Sequence, residues 1–255
     1  MESEMILGEF KPRIPPLYSM NSTRQLTWYI TNSIPCMFLK YGDGEYNAAN
    51  FYEGGNCDGT PYTNNLGQKV RESFVYNSRQ PNTMIGAWHD TSNRAFWESL
   101  GGNSVVNWVD YHTVIIDNTR NIHESTDKLE LFKSIRQTTR KKIYVANAGM
   151  YKATQIFSID SFVDVDPSDW FDTEYEEVFQ SVCEEVDDDA NTLIMTSAGM
   201  GAKYLVSQLH RLYPRAIYID IGSAFDAICT KKRTRDCSPS YEELCEYLRP
   251  IMPAL

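Results

Sequence analysis

Asp43 and Glu45, separated by one glycine in the segment Gly42-Asp43-Gly44-Glu45, are the residues whose types and spacing most directly suggest chemistry. In extended chain, positions two apart project to the same side, and the flanking glycines let the backbone turn and a ligand approach. Two carboxylates with neither His nor Cys beside them favour a hard cation, Mg²⁺ or Mn²⁺, which would complete its shell with water and substrate phosphates. The same four residues would also make a tight turn with two solvated acids, and both readings stand at this point.

Two further segments carry weaker signals of the same kind. Ala198-Gly199-Met200-Gly201 falls between an apolar run and an amphipathic stretch. It could aim backbone N–H groups and a helix N-terminus at a phosphate, or use its glycines only to make a tight turn. Asp220 ends a β-branched run, where it could accept hydrogen bonds from a ribose or cap the next helix.

The elements that must position these groups are legible as alternating periods. Short apolar runs at 36–41, 83–87, 113–117, 142–146, 161–165, 192–196 and 216–221 predict strands. Between them, stretches at 23–32, 66–76, 93–100, 128–140, 173–186 and 202–213 predict helices. Strands alternating with helices of this length imply an α/β fold with a mostly parallel sheet and helices on both faces. In such a sheet ligands gather beyond the carboxyl ends of the strands. Those ends carry Gly42 to Glu45, His89-Asp90, Asn118-Thr119-Arg120, Asn147-Ala148-Gly149, Ala198 to Gly201 and Asp220-Ile221-Gly222-Ser223. The segments 42–45, 199–201 and 220–223 are therefore expected to face one another across one crevice, with Asp43 at the diphosphate end and Asp220 nearer the nucleoside.

Bulk properties bound the class. A chain of 255 residues suits one core, so the expectation is an extended arm over 1–20, which carries Pro12, Pro15 and Pro16, and one domain over 21–255. A net charge of −10 opposes general binding to nucleic acid or anionic membranes. No apolar run of about 18 residues occurs to span a bilayer, and the first residues lack a signal-peptide pattern, so a cytoplasmic protein is expected. The six cysteines form no CxxC pair and read as free thiols; Cys229, Cys237 and Cys245 recur every eight residues, a spacing looser than zinc knuckles use.

The segments 40–45, 118–120, 192–201 and 218–223 resemble, in order and spacing, the GT-D glycosyltransferases first described as a domain of unknown function; the resemblance spans 37–226. It implies a Rossmann-like core, a DxE metal motif at Asp43 and Glu45, a manganese-type cofactor, a UDP-sugar donor and a glycan or other hydroxyl acceptor. With the strand exits, it nominates Lys40, Tyr41, Gly42, Gly44, Arg120, Asn147, Gly149, Gly199, Gly201, Asp220, Gly222 and Ser223 for the donor. Lys40 stands where the family usually carries Arg, and Ser223 where it often carries His. Inverting transfer would need a base for the acceptor hydroxyl, and His89, Asp90 and Asp226 are the candidates. The basic stretch 231–235 would greet an anionic acceptor, close over the diphosphate, or remain a solvated loop. A metal-dependent phosphate hydrolase and a non-catalytic nucleotide-sugar binder are the alternatives.

Overall fold

The computed structural model describes residues 21–56, 59–87, 93–101, 106–117, 122–166, 168–232 and 238–253, with 122–124 described by backbone alone. Among the described residues seven strands form one sheet: β1 (Met37–Lys40), β2 (Thr83–Ala87), β3 (Trp108–Asp110), β4 (Lys141–Ala146), β5 (Ser161–Asp164), β6 (Thr192–Ser197) and β7 (Ile217–Asp220). Their spatial order is β3-β2-β1-β7-β6-β4-β5, and every neighbouring pair is parallel. Among the described residues the helices are α1 (Ser22–Thr31), α2 (Asp43–Ala49), α3 (Asn64–Asn77), α4 (Asn93–Gly101), α5 (Ile122–Gln137), α6 (Ala153–Phe157), α7 (Trp170–Thr173), α8 (Tyr175–Glu185), α9 (Ala202–Leu212), α10 (Asp226–Thr230) and α11 (Tyr241–Leu248). The α/β class and the parallel sheet are as expected from the alternation.

Strand residues alternate between two cores because successive side chains leave opposite faces of a sheet. Phe38, Tyr144, Met195 and Ile219 pack on one face with Leu26 of α1 and Phe132 of α5. Met37, Leu39, Val145, Ile194 and Tyr218 pack on the other with Phe74 of α3, Val182 of α8 and Leu205 of α9. Burial on both faces explains why the strands read as continuous apolar runs.

The topology decides where chemistry can sit. β1 leads outward to β2 and β3, while the last strand, β7, returns to pair with β1 through Met37 opposite Tyr218 and Phe38 opposite Ile219. The exits of the first and last strands are therefore neighbours.

One predicted strand is corrected. Residues 113–117 form no strand; the third strand lies earlier, at Trp108–Asp110. The chain then closes turns, with the Thr113 N–H donating to Asp110 O at 3.1 Å and the Ile115 N–H to His112 O at 3.0 Å. Val114, Ile115 and Ile116 are apolar because they plug the core from a loop. The arm over 1–20 lies outside the described residues. So do Cys57 and Cys237; Cys36, Cys183, Cys229 and Cys245 are free thiols, and burial pushes Cys36 up to about 12 and Cys229 up to about 11.

Candidate active site

Beyond the carboxyl ends of the central strands opens a cleft of about 470 Å³. Its walls include Asp43, Gly44 and Glu45 from the start of α2, Asn147 after β4, Gly199 after β6, and Asp220, Gly222 and Ser223 at the end of β7. Lys40 lies at its floor and Asp226, in the first turn of α10, on its side. The shared crevice expected from the sequence is present.

Asp43 and Glu45 do not reach it as an extended pair. They occupy the first turn of α2, with Gly42 as N-cap, and acidic side chains there are favoured by the helix dipole. Residues two apart on a helix do not face each other, so the two carboxylates diverge. Asp43 is exposed on the cleft wall, and no hydrogen bond or ion pair to its carboxylate is present among the described residues. Glu45 is buried: its Oε2 accepts the Gly42 N–H at 2.9 Å, and its Oε1 lies 2.8 Å from the Lys203 ammonium. The expectation that both acids project to one side is thus corrected.

Lys203 organises the floor. Its ammonium also sits 2.8 Å from Asp220 Oδ2 and donates to Gly199 O at 3.3 Å. Asp220 Oδ2 accepts in addition the Lys40 backbone N–H at 3.2 Å, while Lys40 Nζ donates to Ile221 O at 3.0 Å and stands 3.9 Å from Asp220 Oδ1. All four side chains are buried. Burial alone would lower the Lys203 pKa, but the Asp220 and Glu45 carboxylates outweigh it and hold the ammonium well above its ordinary value. Burial likewise would raise Asp220, yet Lys203 and Lys40 keep it below the usual carboxylate range. Asp220, expected at a ribose, is engaged in this network.

Glycine is demanded at one cleft position. Gly222 has φ +52°, and a Cβ there would lie 2.1 Å from Lys40 Nζ, so only glycine lets the ammonium reach the Ile221 carbonyl. At Gly44 a Cβ would lie 2.9 Å from Asn56 Oδ1, so a larger residue there would have to displace the Asn56 side chain.

Four nominated residues stand back from the cleft. Tyr41 is buried, its hydroxyl 3.0 Å from Ser73 Oγ and accepting from Asn77 Nδ2 at 3.2 Å, and its ring packs edgewise on Phe74 and Trp97. Gly42 caps α2 beneath the Tyr111 ring. Gly149 lies in an exposed turn between Asn147 and Met150, which do line the cleft. Gly201 is packing: a Cβ there would meet Phe171 Cδ2 at 2.5 Å and Trp170 Cζ2 at 2.9 Å. His89, Asp90, Arg120 and the stretch 233–235 lie outside the described residues.

Lys203, Asn56, Tyr62, Tyr111 and Ser197 line the cleft without having been singled out from sequence. Lys203 did carry a signal. It is the second residue of α9, where a cation opposes the helix dipole, and such a lysine needs a nearby anion. Asn56, Tyr62 and Tyr111 come from loops and Ser197 is the last residue of β6, and nothing in their spacing marks them.

A parallel α/β sheet with a polar, charged cleft at its strand exits defines the class to which known folds can be compared. No family model matches the sequence, and no curated protein matches it. Among solved structures the chain is similar to the highly conserved domain of unknown function 1792, reported to have a distinct glycosyltransferase fold. That match has a TM-score of 0.57 and 16% identity over 87% of this chain and 91% of the other. It is also similar to a glycosyltransferase (DUF1792) from Streptococcus sanguinis, with a TM-score of 0.60 and 17% identity over 87% of this chain and 90% of that one. The chain shares this glycosyltransferase-type fold, and the resemblance read from the sequence holds at the level of fold.

Proposed function

We propose that the protein is a glycosyltransferase that takes a nucleotide-sugar donor, a UDP-sugar in the first instance, into the cleft between the exits of β1, β6 and β7 and transfers the sugar to a hydroxyl acceptor. The observation that carries this reading is the convergence of Asp43, Gly199, Asp220 and Gly222 on one cleft in a chain whose solved structural neighbours have a glycosyltransferase fold. No helix among the described residues is long and apolar enough to cross a membrane.

Charge balance supports a cation in the reaction. Two lysines, Lys40 and Lys203, against four carboxylates, Asp43, Glu45, Asp220 and Asp226, leave the described cleft residues at a formal −2. A diphosphate would be repelled by that wall. Among the described residues no three His, Cys, Asp or Glu gather to hold an ion alone. The donor set fits a Mn²⁺ or Mg²⁺ carried on Asp43 with the donor's phosphates and water, the usual habit of Mg²⁺-type ions, and does not fit a chelate by Asp43 and Glu45 together. Such a cation would offset the negative charge that grows on the departing diphosphate.

The chain's own residues supply the rest of the reading. In this reading, backbone N–H groups of the β6–α9 turn, where Gly199 takes φ +65°, would meet phosphate oxygens. Asp226 is the described candidate to take the acceptor's proton.

A thermal-shift panel of UDP-, GDP-, dTDP- and CMP-sugars with and without Mn²⁺ tests the reading, because a ligand at roughly a hundred times its Kd stabilises the native state by about 2.7 kcal/mol. The expected result is a raised midpoint with UDP-sugar and Mn²⁺ together. No shift with any nucleotide-sugar would overturn the proposal.

A further inference from the structure

Three oxygens from three separate elements converge on the Lys203 ammonium: Glu45 Oε1 and Asp220 Oδ2, each at 2.8 Å, and Gly199 O at 3.3 Å. Its side chain is 4% exposed. A lysine here is doubly disfavoured, by burial and by the dipole of the 11-residue α9 in whose first turn it lies. What offsets both is a cage of oxygens of the kind hard cations choose. Both Glu45 oxygens are engaged, Oε1 by the Lys203 ammonium at 2.8 Å and Oε2 by the Gly42 N–H at 2.9 Å.

We propose that Lys203 is a resident cation that closes the Glu45–Asp220 position to divalent ions and so confines the donor's divalent cation to Asp43, an inference that rests on the nucleotide-sugar reading above. Glu45 is then a strut between α2 and α9, and the second acid of the Asp-Gly-Glu segment works through Lys203 as a positioning residue. The arrangement separates two tasks. The floor keeps a covalently tethered ammonium, buried between Glu45 and Asp220, in place of an exchangeable ion. The rim keeps the Asp43 carboxylate, weak enough by itself that the divalent ion arrives and leaves with the diphosphate.

The test is Mn²⁺ binding followed by the electron paramagnetic resonance signal of free Mn²⁺, with Mn²⁺ alone and with saturating UDP, on wild type, Asp43→Asn, Glu45→Gln, Lys203→Met and the double variant Glu45→Gln/Lys203→Met. With Mn²⁺ alone, Lys203→Met is expected to bind roughly tenfold more tightly than wild type, because two carboxylates and a carbonyl are released to one point; the double variant is expected to lose that gain. A merely structural lysine would not produce tighter metal binding when removed. With UDP present, Asp43→Asn is expected to raise the Mn²⁺ half-saturation by roughly tenfold or more, while Glu45→Gln leaves it within about twofold. Glu45→Gln weakening Mn²⁺ as much as Asp43→Asn would overturn the inference, as would a folded Lys203→Met with no gain. Should Lys203→Met fail to fold, the comparison of Glu45→Gln with Asp43→Asn decides. A wild-type protein that binds no UDP with or without Mn²⁺ would overturn the donor reading instead, and the Mn²⁺-alone arm would still judge Lys203.

Discussion

Asp43 and Glu45 share one helical turn, yet one stands exposed on the rim of the cleft and the other is buried in its floor. The rim carboxylate has no partner among the described residues, whereas the floor carboxylate is held by a backbone N–H and by Lys203. Both regions are acidic by composition, but the floor is neutralised internally and the rim is not. The contrast shows that spacing in a sequence becomes geometry only through the secondary structure that carries it.

The largest effect should come from breaking the floor. Lys203→Met leaves Glu45 and Asp220 buried without their shared cation and is expected to cost about 3–5 kcal/mol of stability, the scale for removing one partner of a buried pair. Asp43→Asn on the rim is expected to change stability by about 0.5 kcal/mol or less. Urea denaturation measures both, and similar losses would erase the distinction between floor and rim.

In function the order reverses. Asp43→Asn is expected to lower sugar transfer roughly a hundredfold while the fold stays intact, the scale for losing one strong transition-state stabiliser. Wild-type turnover in that variant would reduce Asp43 to a solvated helix-start acid.

Gly222 sharpens the picture of the floor. Its φ is +52°, and a Cβ at this position would come within 2.1 Å of Lys40 Nζ, so Gly222→Ala must both strain the backbone and displace the ammonium. A loss of about 1–3 kcal/mol is expected from thermal denaturation, and a neutral substitution would show that Lys40 has room to move.

The smallest effect is a dependence on pH. Lys203 and Lys40 hold the Asp220 carboxyl below its ordinary value in the folded state. A depressed carboxyl contributes stability above its unfolded value, about 3.9, and loses that contribution as pH falls through the folded value. Lys203, held high, contributes below its unfolded value of about 10.4, so it adds no slope near neutrality. The stability gap between wild type and Asp220→Asn should therefore be flat between about pH 5 and pH 8 and narrow below about pH 4. A gap that widens on acidification would contradict the ion-pair assignment.

Much of the frame was legible because it depends on local pattern. The strand Thr83–Ala87 falls where the apolar run predicts it, and the exits after Lys40, Ser197 and Asp220 meet because parallel strands point one way. The apolar run 113–117 misleads because burial in a core does not require a strand. Tyr41 and Gly201 lie next to cleft residues in sequence, but their side-chain positions serve the aromatic packing of Phe74, Trp97, Phe171 and Trp170. Lys203 escaped notice because its partners lie 158 and 17 residues away, and only the pairing of β1 with β7 brings them to one ammonium.

The central claim, a donor cation on Asp43 above a floor already filled by Lys203, is most directly tested by an anomalous difference map recorded at the manganese edge from crystals grown with UDP and Mn²⁺. The account predicts one peak within the cleft, in contact with the Asp43 carboxylate and with diphosphate oxygens, with Lys203 still between Glu45 and Asp220. A manganese peak coordinated by Glu45, with the Lys203 ammonium displaced from it, would contradict it.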